Sequence, residues 1–316
     1  MVSLMGNKCF ARTKNKKRLS KSMIFVKEKS KMARISAKPW YKEWFDSPFY
    51  HRLYFERDEQ EARDFISKLF HFLQPPPESR MLDVACGRGR HSRVLARMSF
   101  DVTGIDLSFN SIDYAKEILQ KESPELEDHL NFYQHDIRFP FWINYFDYAF
   151  NFFTSFGYFA TRREHDDAMR TIASGLRSHG ILVIDYLNVH YAEDHLVHSE
   201  MKNIAGTSFE ILRWHDETHF YKKITVHDAS LLIPEEYTEK VAKFSLGDFT
   251  DMLSFQNMQV IEVFGDYNLG TYNVRKTPRL IIIAEKKTRV PDTPRTNRAD
   301  KSKRLYSDGR ETDALT

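Results

Sequence analysis

The chain contains Leu82-Asp83-Val84-Ala85-Cys86-Gly87-Arg88-Gly89-Arg90-His91-Ser92, and shortly after it Val102-Thr103-Gly104-Ile105-Asp106. The first run reads as a β-strand entering a glycine turn that opens a helix. The second reads as another strand ending in an acid. Gly87 and Gly89 lack a Cβ, so the backbone can turn left-handed there and let a ligand approach closely. The following helix points unpaired N–H groups and its positive dipole end at whatever sits on the turn. Asp106, at a strand tip, is placed to accept hydrogen bonds from a ribose diol. Together these features predict a nucleoside-binding site.

Two nucleoside classes use such a site. The dinucleotide fingerprint G-x-G-x-x-G requires a third glycine where this chain has Ser92. Asp83, four residues before Gly87, suits a cationic ligand end or an ordered loop and does nothing for a pyrophosphate.

At these residues the sequence resembles the class I S-adenosylmethionine-dependent methyltransferases, whose first motif runs (D/E)-x-G-x-G-x-G. Asp83, Gly87 and Gly89 match it, and Ala85 stands where the family usually has glycine. The resemblance extends over residues 58–185 and, in element order, over 245–286. It implies an α/β fold: a Rossmann-like, seven-stranded, mostly parallel sheet with helices on both faces. It also implies S-adenosylmethionine as cofactor. Asp83 would order the turn and the cofactor's amino-acid end, and the backbone at Ala85, Gly87 and Arg88 would pack against the cofactor. Asp106 would bind the ribose and Asp136 the adenine amino group, with Ile137 stacked on the ring. Cys86, Gly89, Leu107 and Phe152 complete the implied cofactor site.

Upstream lies an aromatic segment, Trp40 to Tyr54. In methyltransferases of this layout such a segment folds over the cofactor as a lid, which makes Tyr50, His51 and Tyr54 candidates to contact cofactor or substrate. A helix is expected from Asp58 to about Leu73, with Ala62, Phe65, Ile66, Leu69, Phe70 and Leu73 on one face, stopped by Pro75-Pro76-Pro77. The helix after the glycine turn should carry Val94, Leu95 and Met98 inward. Ser108 should cap a further helix containing Ile112, Ala115, Ile118 and Leu119.

Asn131–Gln134 forms a short third strand with Asp136 beyond its end. Phe146–Phe152 forms a fourth, running into Phe153-Thr154-Ser155-Phe156-Gly157-Tyr158-Phe159. Ligand crevices in open α/β sheets lie at the carboxyl ends of strands, so this loop should border the site. Ser155 and Tyr158 are expected to line the seat of the methyl acceptor. Thr161 and Glu164 have capping-box spacing and start a helix through Leu176, with Gly180 after its end. Ile181–Tyr186 is a continuous apolar run, as in a strand covered on both faces.

From about Val189 to Val241 the periodicity approaches two, which predicts an antiparallel insertion capping the crevice and selecting the acceptor. Ser245 caps a last helix. Val260–Phe264 and Leu280–Ala284 are the final strands, the last antiparallel, with Asp266, Tyr267 and Tyr272 in the loop between them. The expected organisation is a basic disordered tail (1–34), lid and cofactor part (35–188), β cap (189–243), the rest of the methyltransferase domain (244–288) and a disordered tail (289–316).

The net charge of +3 conceals an asymmetry: residues 1–34 carry +10 and residues 289–316 carry +2, so residues 35–288 carry −9. An acidic body argues against a nucleic-acid surface, and an Asn-Pro-Pro-(Tyr/Phe)-like run after the fourth strand is lacking. With 41% hydrophobic residues the chain can build a core, yet no apolar run is long enough to span a membrane. Met23–Val26 is too short for a signal-peptide core, so the expected location is cytoplasmic. The basic tail is expected to be non-essential upstream sequence, the working protein beginning near Met23 or Met32. Cys9 and Cys86 are too few for a zinc site and a poor disulfide pair, so no metal is expected.

The reading is methyl transfer from S-adenosylmethionine to nitrogen or oxygen of a small molecule. A cofactor-binding protein of this fold without turnover and an NAD-linked oxidoreductase are the alternatives. The sequence leaves open the acceptor, any catalytic base and the oligomeric state.

Overall fold

A computed structural model describes residues 40–54 and 59–288. The expected tails, Cys9 and the expected helix start at Asp58 lie outside the described residues.

Two short helices, α1 (Trp40–Asp46) and α2 (Pro48–Leu53), precede α3 (Glu59–Leu73). The alternating unit follows: β1 (Arg80–Val84), α4 (Arg90–Arg97), β2 (Asp101–Asp106), α5 (Phe109–Glu122), β3 (Leu130–Gln134) and β4 (Phe146–Asn151). It continues with α6 (Arg162–Gly175) and β5 (Leu176–Leu187). After the insertion come α8 (Leu246–Ser254), β10 (Met258–Phe264) and β11 (Arg279–Lys286).

These strands form one seven-stranded sheet in the order β3-β2-β1-β4-β5-β11-β10. β1 pairs in parallel with both β2 and β4, and β11 runs antiparallel between β5 and β10. The chain therefore winds outward from β1 to β3 and then crosses to β4, leaving a switch point at the carboxyl ends of β1 and β4. The alternation of side chains builds two cores. Leu82, Leu182, Ile184 and Ile282 pack on α6 and α8, whereas Met81, Val102, Phe150 and Ile283 pack on α3, α4 and α5.

The local signals for helix starts are met. Ser108 Oγ accepts from Ser111 N, and both Thr161 with Glu164 and Ser245 with Asp248 close capping boxes. Two boundaries differ from expectation. Met98 is the C-cap of α4 and is 38% exposed, because the chain leaves the helix before that turn is completed. α6 ends at Gly175, within one residue of the expected Leu176, but β5 starts at once, so Gly180 lies inside a strand. Between the pairs Phe146↔Leu176 and Tyr148↔Ile181 the ladder shifts register, with His179 left-handed at φ 63°. The extra residues are thus a bulge in β5 and not a loop after the helix.

The insertion begins with a helix the periodicity did not reveal, α7 (Val189–Asp194). It then forms β6 (Ser199–Ile204), β7 (Thr207–His215), β8 (His219–His227) and β9 (Glu235–Ala242), a separate antiparallel sheet in sequential order. One face of this sheet presents Phe209, Ile211, Ile224 and Val226 to Trp44, Phe49 and Leu53 of α1 and α2. The aromatic segment therefore packs on the insertion. Two further bonds fix it there: Trp44 Nε1 donates to Glu239 at 2.6 Å, and Arg52 pairs with Asp228 at 2.7 Å.

Candidate functional site

Between the carboxyl ends of the large sheet, the lid helices and β9 lies a cavity of about 1050 Å³. That is at the upper end of the range for a single small-molecule site, roughly 300–1,000 Å³. Its floor is the turn after β1. Ala85, Gly87 and Gly89 all have positive φ, at 58°, 55° and 75°. The two glycines serve different ends. A Cβ on Gly87 would meet nothing within 4 Å, so this glycine keeps the cavity open. A Cβ on Gly89 would lie 2.6 Å from Phe132 Cε1, so that glycine lets α4 close onto β3. Gly89 is accordingly absent from the cavity wall, whereas Ala85, Cys86, Gly87 and Arg88 line it.

Three acids converge there from successive strand ends. Asp83 is 1% exposed and accepts from Ser92 Oγ at 2.6 Å. Burial pushes its carboxyl up to about 7, aided by the charge of Asp106 and opposed by the Ser92 hydroxyl. Asp106 accepts Gly87 N through Oδ2 and Ser108 N through Oδ1, both at 2.8 Å. Burial raises this carboxyl too. Each oxygen retains a second lone pair. Asp136 is gripped by Arg138, whose Nη2 lies at 2.6 Å and whose backbone N–H lies at 3.0 Å. Burial works against the Asp136 charge, but these Arg138 bonds hold the carboxyl below its ordinary range. Arg138 also reaches Glu164 at 2.5 Å. Leu107, Ile137 and Phe152 complete this half of the wall.

The opposite half belongs to the lid, the loop after β4 and the insertion. Tyr50, His51 and Tyr54 all reach the cavity. Burial, with the Arg88 guanidinium nearby, pushes His51 down to about 4, so its ring is neutral at neutral pH. The Arg88 side chain lies over the Tyr114 ring at 4.1 Å, and its Nε is buried without a hydrogen-bond partner. Tyr54 donates to Glu239 at 3.0 Å and is hydrogen-bonded to Lys222. Ser155 and Tyr158 line the cavity as well, but their hydroxyls donate to Phe152 O at 2.9 Å and Thr154 O at 2.5 Å. They brace their own loop and turn ring and lone pairs inward. Gly157 carries φ 93°, and a Cβ there would lie 3.3 Å from Tyr186 Cζ. Its carbonyl accepts from Ala242 N at 2.8 Å, which ties this loop to the end of β9.

Of the loop residues between β10 and β11, Tyr267 lines the cavity, whereas Asp266 caps its own turn by accepting from Asn268 N at 2.7 Å. Sequence reasoning missed His91, Glu239 and Arg279 at the wall, and Asp185 behind it. Asp185 did carry a signal: an acid inside a continuous apolar strand is anomalous unless paired. Among the described residues no group of three His, Cys, Asp or Glu side chains could hold a metal ion. Cys86 is buried, and burial raises its thiol well above the ordinary value, so it is unreactive packing.

A family model for a methyltransferase domain matches residues 76–228, the segment that supplies the glycine turn and all three acids. Over that segment the chain carries an S-adenosylmethionine-dependent methyltransferase domain. This methyltransferase is 27% identical over 231 residues to YqeM of Bacillus subtilis, a protein named as a methyltransferase, covering 67% of the chain and 85% of the relative. A solved S-adenosylmethionine-dependent methyltransferase from Clostridium acetobutylicum superimposes with a TM-score of 0.63 at 15% identity, covering 76% of this chain and 97% of that one. A sugar N-methyltransferase from a Streptoalloteichus species gives 0.56 at 18% identity, covering 74% and 90%. At such identities the structures speak for the fold. Among the described residues no helix is long and apolar enough to cross a membrane.

Proposed function

We propose that this methyltransferase moves the methyl group of S-adenosylmethionine to a nitrogen or oxygen atom of a small molecule bound in the same cavity. The observation that carries this reading is a single cavity with three strand-end acids on one side and the lid, the β4 loop and β9 on the other. The residues present fit the donor: the wall is open at Gly87, and Arg88 Nε is buried without a partner. Asp83 would hold the cofactor's ammonium end, Asp106 its ribose and Asp136 with Ile137 its adenine. Cys86, Leu107 and Phe152 would close around them, and Tyr54, Ser155 and Tyr158 would border the acceptor.

The bound donor supplies an electrophilic methyl on a positively charged sulfur. The chain's residues need then only orient and desolvate the acceptor. Holding two reactants in near-attack geometry can provide roughly 7–11 kcal/mol of the barrier, which explains how a site without an activated nucleophile can be productive. The insertion contributes Glu239 and Val241 to the wall, which supports a part for it in choosing the acceptor. The finding of a sugar N-methyltransferase among the structural relatives is consistent with a small acceptor.

The test is incubation of the full chain with methyl-labelled S-adenosylmethionine and a deproteinised metabolite extract. Transfer of label to a small molecule is expected. Tight binding of S-adenosylhomocysteine with no labelled product would instead identify a cofactor-binding protein without turnover. Binding of NADH without S-adenosylhomocysteine would point to the oxidoreductase alternative.

A further inference from the structure

We infer that the buried Asp185–Arg279 pair is a positioning device for the methyl acceptor, acting through the turn that follows β4. The inference rests on the proposed transfer reaction. Phe153 and Thr154 are successive non-glycine residues at φ 55° and 59°. A side chain rarely adopts that left-handed conformation, and two in succession persist only where the surroundings over-determine them.

The over-determination comes from one residue. Asp185 is 0% exposed and accepts Phe153 N at 2.8 Å through Oδ2, while its backbone carbonyl accepts Thr154 N at 2.9 Å. The same Oδ2 accepts the Tyr267 hydroxyl at 3.1 Å. Arg279 donates to Oδ1 from Nε at 2.8 Å and from Nη2 at 2.6 Å, and Nη2 also donates to Thr154 Oγ1 at 3.0 Å. Three distant segments are thereby locked to one turn.

A buried ion pair is weak evidence of stabilisation, since desolvation offsets its attraction. What this pair does visibly is aim the turn. With the chain bent aside, the Phe153 ring stacks on Tyr267 at 5.2 Å, and Thr154, Tyr267 and Arg279 all reach the cavity. They do so just beyond β4, just beyond β10 and at the start of β11, across the switch point from the three acids. A displaced turn would therefore disturb the acceptor and spare the donor.

The experiment compares the full-length wild type with Asp185→Asn, Thr154→Val and Arg279→Lys. Calorimetric S-adenosylhomocysteine affinity and methyl transfer from saturating labelled donor into a metabolite extract are measured for each. Asp185→Asn and Thr154→Val should keep the affinity within about twofold, yet lose on the order of tenfold to a hundredfold in transfer. More extract should not restore the rate. Arg279→Lys, which keeps the charge and loses the fork, should fall between them and the wild type.

Unchanged transfer in Thr154→Val, which deletes one link and leaves the buried pair intact, would overturn the inference. So would a loss of transfer matched by loss of affinity and melting temperature, since that marks a purely structural pair. If Asp185→Asn does not fold, Thr154→Val decides. A wild type that binds S-adenosylhomocysteine but labels nothing removes the underlying reaction, and the positioning role with it.

Discussion

The two halves of the cavity are built over different distances along the chain. On the side of β1 to β3 the fixing bonds are local: Asp83 and Ser92 are nine residues apart, and Gly87 and Asp106 nineteen. On the other side Asp185 meets Arg279 across 94 residues, and Tyr54 meets Glu239 across 185. The half that would hold a donor common to many enzymes is written in short spacings. The half that would hold the acceptor is assembled from the lid, the insertion and the final loop, and each can vary without disturbing the turn.

The largest effect should come from separating the lid from the insertion. Trp44 is fully buried against the small sheet, with its ring 4.6 Å from Tyr237. Trp44→Ala should cost about 3–5 kcal/mol of lid docking. Hydrogen exchange should then rise in residues 40–54 while β1 to β5 stay protected. Equal loss of protection in both regions would mean that the halves are one cooperative unit.

The glycine turn should divide in the same spirit. Gly89→Ala combines left-handed strain with collision against Phe132, so it should cost about 2–4 kcal/mol in denaturant unfolding. Gly87→Ala carries strain alone and places its methyl in open cavity space. It should cost less stability and mainly weaken S-adenosylhomocysteine binding, whereas the opposite ranking would reverse the two roles assigned here.

Asp83 offers a test by pH. Its folded-state value of about 7 means that the empty site holds a neutral acid below that pH. S-adenosylhomocysteine affinity should therefore rise as pH increases through about 7 and then level off, and Asp83→Asn should flatten the curve. For stability the sign reverses. The native state keeps a proton that the unfolded chain releases near pH 4, so Asp83 makes the empty protein less stable as pH rises from about 4 to 7. His51, held down at about 4, acts in the opposite direction between about 4 and 6.5. The informative quantity is thus the difference between wild type and Asp83→Asn in melting scans across pH.

The smallest effect belongs to Ala85. Its φ of 58° strains an alanine by about 1–2 kcal/mol, and a glycine there would give back roughly 0.5–1 in unfolded-state entropy. Ala85→Gly should be neutral or stabilising by up to about 1 kcal/mol, read as a shift in the denaturation midpoint.

The same division governs how much could be read before any coordinates. Helix stripes such as Ala62–Phe65–Ile66–Leu69, the caps at Ser108, Thr161 and Ser245, and the alternation of strands are short-range signals that located the elements, while the seven-stranded sheet they build was implied by the resemblance to the methyltransferases. Ala85 was legible as a small residue but not as a strained one, because size is in the sequence and φ is not. Glu239 and Arg279 could not be assigned from sequence, because their place depends on pairings across the whole chain. Ser155 and Tyr158 were placed at the wall, but the carbonyls their hydroxyls serve were not visible. Asp185 was the exception, a charge in an apolar strand that asked for a distant partner.

The central claim is that three aspartates from neighbouring strand ends hold one adenosine-bearing donor. Calorimetric titration of S-adenosylhomocysteine into wild type and Asp106→Ala tests it most directly. Saturable binding at one site is expected, weakened at least about tenfold by the substitution, since hydrogen bonds to a charged group contribute about 1.5–3 kcal/mol. Equal affinity in both proteins, or no binding by the wild type, would contradict it.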